Sequence, residues 1–140
     1  MKLLRNITVV ILIVLTGFLS LTGVLGGLAL MAGFNSPPLE QLRGSVFNDF
    51  LVPGMVLFVI VGGTALLAFM LLVRKNKFAA LFSTVAGIVI MFFEFVEVLA
   101  IGSPPGVART LQIFYVGLGT LITVFSISIW YIDIMEITRK

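Results

Sequence analysis

Residues 7–34, 52–73, 78–101 and 111–132 form four apolar runs of about twenty residues or more, uncharged except for Glu94 and Glu97 in the third. A bilayer's hydrocarbon core takes about 20 helical residues to cross, and the backbone inside it must satisfy its own hydrogen bonds. The runs therefore predict four transmembrane helices at those boundaries, joined by a long loop over residues 35–51 and two short connections. The fold class expected is an all-α, four-transmembrane-helix bundle in one integral membrane domain, residues 1–140. The first run is too long for the core of a secretory signal, which spans ~7–15 residues, and reads as a retained helix.

Composition removes most alternatives. Only 11% of residues are charged and mean hydropathy is +1.24, where a soluble domain carries about a quarter charged residues. There is no cysteine and no histidine, so disulfides, thiol redox chemistry and imidazole- or thiolate-bound metals have no ligands. No metal site is assigned and no cofactor is expected, and only hard, oxygen-preferring cations such as Mg²⁺ or Ca²⁺ remain conceivable. The sequence has no P-loop, no dinucleotide fingerprint and no HExxH. Serine-type nucleophilic catalysis needs a base beside the hydroxyl, and every lysine lies at one end of the predicted bundle, far from Glu94 and Glu97. A non-enzymatic protein is the expectation.

The net charge of +3 reports on topology, not on nucleic acid, because the basic residues sit at helix ends. Lys2, Arg5, Arg74, Lys75, Lys77, Arg139 and Lys140 fall on one side, against Arg43 and Arg109 on the other. The positive-inside rule then places both termini and the 74–77 hairpin in the cytoplasm of a cell-membrane protein. Trp130 and Tyr131 reach the inner headgroup belt, and Tyr115 lies near the outer one. Asp133 and Glu136, among Arg139 and Lys140, read as a solvated helix end.

In lipid, small residues that let backbones approach mark the inward helix faces. The first run has Thr16, Ser20, Gly23 and Gly27, the last pair forming a GxxxG pattern. The fourth has Gln112, Gly119, Thr123, Ser126 and Asp133. On the third, Ala80, Ser83, Gly87, Ile90, Glu94, Glu97 and Ile101 share one line, so both glutamates point into the bundle. Gly23, Gly27, Gly87 and Gly119 are therefore read as helix-packing positions. Packing within the chain is the expected use of GxxxG, with a dimer face as the alternative. The second run offers only Gly62, Gly63 and Thr64, and its inner face stays unassigned.

The long loop has turn chemistry of its own. Pro38 suits a first helical position, residues 39–43 complete about one and a half turns of an amphipathic helix, and Gly44 suits a left-handed stop. Leu39, Leu42, Phe47 and Phe50 are apolar enough to lie on the membrane or cap the bundle. Asp49 is placed to cap the second span, with Pro53 tolerated in its first turn. The residues Pro38-Leu39, Leu42, Gly44-Ser45, Phe47, Asp49-Phe50-Leu51 and Pro53-Gly54 resemble the P-L-x-x-L-x-G-S-P-F-x-D-Y-L-x-P-G loop of a family of small, uncharacterised four-helix prokaryotic membrane proteins. Glu97-Val98, Ile101-Gly102, Gln112, Tyr115 and Leu118-Gly119 resemble a second patch of that family. Val46 and Phe50 depart from its usual proline and tyrosine. The resemblance implies the architecture and carries no activity.

At ~1.5 Å per residue, Glu97 lies about 6 Å and Glu94 about 10 Å below the outer end of the third helix. An isolated carboxylate buried there costs several kcal/mol, so a partner is required. Arg109 and Arg43 are the only basic residues on that side, and an ion pair with one of them is the first expectation. Gln112 and Tyr115 are placed to satisfy other carboxylate oxygens. The functional alternative is an outer cavity that binds a cation, a proton or a small amine. An accessory or partner-binding membrane protein demands least of the sequence. A small cation- or proton-coupled transporter or ligand-binding protein using Glu94 and Glu97 is the alternative. Expected partners are the lipid bilayer and either a second copy or a larger membrane protein.

Overall fold

The structure is a computed structural model and describes residues 1–34 and 36–139. Asn35, the first residue expected of the long loop, and Lys140, in the basic tail, lie outside the described residues. Four long helices are apolar enough to cross a membrane: α1 (Lys2–Met31), α2 (Leu51–Val73), α3 (Ala79–Ile101) and α4 (Val107–Thr138). They run up and down in ring order, α1 packing on α2, α2 on α3, α3 on α4 and α4 back on α1. One end of the bundle gathers the N-terminus, the α2–α3 hairpin and the end of α4, and is called the basic end here. The other, the loop end, gathers the α1–α2 and α3–α4 connections.

The helix limits differ from the apolar runs for local reasons. α1 starts at Lys2, ahead of the run, because no backbone constraint stops a helix at the headgroup boundary. It stops at Met31, short of residue 34, because Gly33 takes φ +68°. The amides of Gly33 and Phe34 then reach back to the carbonyls of Leu30 (3.2 Å) and Ala29 (2.9 Å), a Schellman ending. α2 ends the same way with Lys75 at φ +52°, and the Asn76 side chain accepts the Phe78 amide at 2.9 Å to launch α3. That sequence of caps closes the hairpin in a few residues. α4 overruns the 111–132 run at both ends, and its 32 residues make it about 48 Å long against a hydrocarbon core of about 30 Å.

The interior is apolar and tightly filled. Leu12, Leu19, Val61, Ile90 and Ile122 are fully buried together with Thr16, Ser83 and Ser126. Each of those hydroxyls donates to the carbonyl four residues back in its own helix, at 2.7–2.8 Å, which satisfies it without a partner helix. Side chains such as Leu21, Phe92 and Ile113 are more than half exposed, as a lipid-facing surface requires.

Glycines set the interhelical distances. A Cβ on Gly27 would stand 2.6 Å from the Gly54 carbonyl oxygen and the Phe58 amide nitrogen, and one on Gly23 would stand 3.0 Å from the Gly62 Cα. The GxxxG pattern is therefore spent on α2. Gly87 and Gly119 play the same part between α3 and α4, where a Cβ on either would lie 2.7 Å from the other's carbonyl oxygen. The inner face of α2, unassigned from sequence, is Gly54, Val61, Gly62, Ala65, Ala68 and Leu72. Residues Val56–Gly62 of this helix are wound as a π-helix. Its wider i→i+5 turn lets the adjacent Val61 and Gly62 both face inward, while Gly63 faces open space.

Candidate functional site

Glu94 and Glu97 lie on α3 seven and four residues before its end at Ile101. Glu94 is 4% exposed and Glu97 half-buried. The chain turns at Gly102 (φ +73°) and Gly106 (φ +111°), so α4 starts beside the end of α3 and its second turn faces the glutamates. Gln112, 3% exposed, uses both amide hydrogens there: Nε2 donates to Glu97 Oε1 at 3.1 Å and to the Gly102 carbonyl at 3.1 Å. Those two acceptors fix the amide's orientation, since a flip would set its oxygen against both. The Gln112 Oε1 that results is buried with no hydrogen-bond partner.

The expected arginine pairs do not form. Arg109 is exposed and turns to the α3–α4 connection, donating from Nε (3.1 Å) and Nη2 (2.5 Å) to the Ser103 carbonyl. Arg43 is exposed in the long loop, where it lines a surface cavity of about 240 Å³ with Leu42, Ser45, Phe47 and Asn48. Among the described residues the ion pair is a different one, Arg5 with Asp133. Desolvating a guanidinium is costly, and a loop carbonyl reached at the surface satisfies Arg109 without that cost. No hydrogen bond or ion pair reaches the Glu94 carboxylate among the described residues. Tyr115 is half-buried with its ring edge-on to Phe114, centroids 5.3 Å apart, and bonds neither glutamate.

The long loop folds over this end. Its helical part is a single 3-10 turn, Leu39–Leu42, shorter than the one and a half turns expected, and Gly44 follows at φ +86°. The turn packs against α3, the helix that carries both glutamates. Leu42 and Phe50 are buried, Phe47 is half-buried, and Leu39 is 61% exposed. Asp49 acts one position earlier than a true N-cap: Phe50 occupies that place, and Asp49 Oδ1 accepts the Leu51 amide at 3.0 Å. Two more buried polar atoms without partners belong to this loop, Ser36 Oγ and Gln41 Oε1. Sequence reasoning had given Gln41 a place in the turn and nothing more, because no periodicity tells which side of a single turn is buried.

At the basic end Asp133 is not a freely solvated helix terminus. Arg5 Nε and Nη2 donate to its two oxygens at 2.6 and 3.3 Å, tying the start of α1 to the last turns of α4. The signal lay in the topology: α1 and α4 are antiparallel neighbours, which brings residues near opposite chain ends together.

The loop end thus holds a cluster rich in acceptors: two carboxylates, of which one is bonded to Gln112, and a buried amide oxygen facing no donor. What such a cluster can do is accept hydrogen bonds or neutralise positive charge. No known protein family, curated protein or solved structure significantly matches this chain.

Proposed function

We propose that this chain is a small, non-enzymatic, multi-pass protein of the cell membrane that binds a cation, a proton or a small ammonium group at its loop end through Glu94 and Glu97. The single observation that carries the reading is the unmatched acceptor chemistry there, Glu94 buried with no positive partner among the described residues, together with Glu97 and the orphaned Gln112 Oε1. A buried carboxylate without a counter-charge is expensive, and inside a membrane it is retained where it does something. Only hard, oxygen-preferring cations suit two carboxylates and an amide oxygen. The basic residues at the opposite end, Lys2, Arg5, Arg74, Lys75, Lys77 and Arg139 among those described, favour a cytoplasmic location for it and for both termini, so the glutamates face the outside. The Leu39–Leu42 turn, with Leu39 exposed, suits the membrane surface. The loop motif supports membership of the small four-helix prokaryotic family that it resembles.

A second reading, an accessory protein that packs against a second copy or a larger membrane protein, is favoured by the glycine-spaced ring with its filled interior. Infrared difference spectra of the purified protein separate the two. Exchange of sodium for potassium, magnesium or methylammonium should produce carboxylate bands that disappear in Glu94→Gln or Glu97→Gln and persist in Glu136→Gln. Spectra without such bands for every cation and across a pH titration reject the binding role and leave the accessory one.

A further inference from the structure

A second feature, at the basic end and independent of the glutamates, is a groove of about 240 Å³ between α3 and α4 lined by Ala80, Leu81, Thr84, Ile127 and Trp130. The lining is apolar apart from Thr84, whose hydroxyl is turned to Ser126 Oγ at 2.9 Å. Small side chains at Ala80 and Thr84 make the floor, and Leu81, Ile127 and Trp130, each at least half exposed, make the walls. The α2–α3 hairpin that leads into this end of α3 carries three basic residues, Arg74, Lys75 and Lys77. Lys77 lies three residues before Ala80, with its Nζ over the Phe78 ring at 5.0 Å from the centroid, and Arg74 and Lys75, in the same hairpin, are exposed. Among the described residues of this end, Lys2, Arg5, Arg74, Lys75, Lys77 and Arg139 stand against two acidic ones, Asp133 and Glu136, and Asp133 is already bonded to Arg5. α3 begins here, so the positive end of its dipole adds to the same field.

We propose that the α3–α4 groove holds one acyl chain of an anionic glycerophospholipid, whose phosphate lies against Arg74, Lys75 and Lys77. Any lipid chain fits an apolar furrow, whereas the charge of the hairpin selects the headgroup. Basic residues at a membrane surface attract anionic lipid by about 1 kcal/mol each, roughly fivefold in affinity. A groove that fixes the chain beneath them turns a diffuse attraction into a site.

The chain supplies its own probe, because Trp130 is its only tryptophan and forms one wall. The full-length protein is reconstituted in phosphatidylcholine vesicles containing a small fraction of phosphatidylglycerol or phosphatidylcholine with brominated acyl chains, and quenching of Trp130 gives the relative binding constant of the two lipids. The constant should favour phosphatidylglycerol about fivefold or more and fall to near one in the Arg74→Gln/Lys75→Gln/Lys77→Gln variant. Those side chains are exposed, and unchanged helical circular dichroism verifies the fold. A second variant, Phe92→Trp/Trp130→Phe, moves the reporter to an exposed position about 18 Å along α3 from Ala80, where no preference is expected. Equal quenching by both lipids at Trp130, a preference that survives removal of the charges, or the same preference at position 92 would each overturn the site.

Discussion

Gly27→Ala tests whether backbone proximity between α1 and α2 holds the bundle together. The added Cβ would stand 2.6 Å from the Gly54 oxygen and the Phe58 nitrogen. Ordinary contact begins at 3.4 Å, so the helices must separate locally by about 0.8 Å, the difference between the two distances. Both obstacles are backbone atoms, and no rotamer change relieves them. Overpacking of this kind costs about 1–3 kcal/mol, offset by about 0.5–1 kcal/mol because alanine suits a helix better than glycine. The net expectation is a loss of up to about 2.5 kcal/mol, and of about 1–3 kcal/mol relative to a glycine-to-alanine change that meets no obstacle. Gly63→Ala is the matched control, since nothing lies within 4 Å of its Cβ and only the propensity gain applies. The assay is reversible unfolding in mixed micelles with increasing dodecyl sulfate, followed by circular dichroism. Equal stabilities for the two variants would refute the argument. So would a Gly27→Ala protein that folds normally but changes oligomeric state, because the glycine would then face another chain.

Gln112→Leu should cost about 1–3 kcal/mol in the same assay, because it leaves Glu97 and the Gly102 carbonyl without their donor. A neutral result would mean that water replaces the amide. Arg109→Gln should change stability by less than about 0.5 kcal/mol, since the guanidinium is exposed and bonded to Ser103. It should also leave the Glu94 and Glu97 infrared bands in place, whereas their displacement would restore the arginine pairing. Asp133→Asn should cost about 0.2–1 kcal/mol, the range of an accessible ion pair, because both side chains are 40% exposed. Raising the salt concentration should shrink that difference, and a salt-independent loss would locate the effect elsewhere.

The loop end shows best where local reading stops. The α3 line of Ser83, Gly87, Ile90 and Glu94 could be drawn from helical spacing alone, and these four residues are buried. Gln112 was legible as a neighbour of the glutamates, and it bonds Glu97. The choice between Arg109, Arg43 and no cation at all was not legible, since it turns on the direction of a short loop pinned by Gly102 and Gly106. Arginine side chains are long enough to make either outcome look plausible in sequence. α2 resisted a face assignment because an all-apolar segment has little polar contrast, and its π-wound stretch departs from the 3.6-residue period.

Sequence by itself determined that four helices long and apolar enough to span a membrane must form, because the bilayer imposes length and backbone satisfaction on any chain this apolar. It also determined which end carries the positive charge and that two acids lie within the third helix. Only the tertiary structure decided that GxxxG packs against α2, that Arg5 meets Asp133, and that among the described residues Glu94 has no cationic partner while Glu97 has an amide. The first set follows from periodicity and composition, which each segment carries alone. The second depends on differences of a few ångströms between neighbouring helices, set by all the contacts of the ring at once.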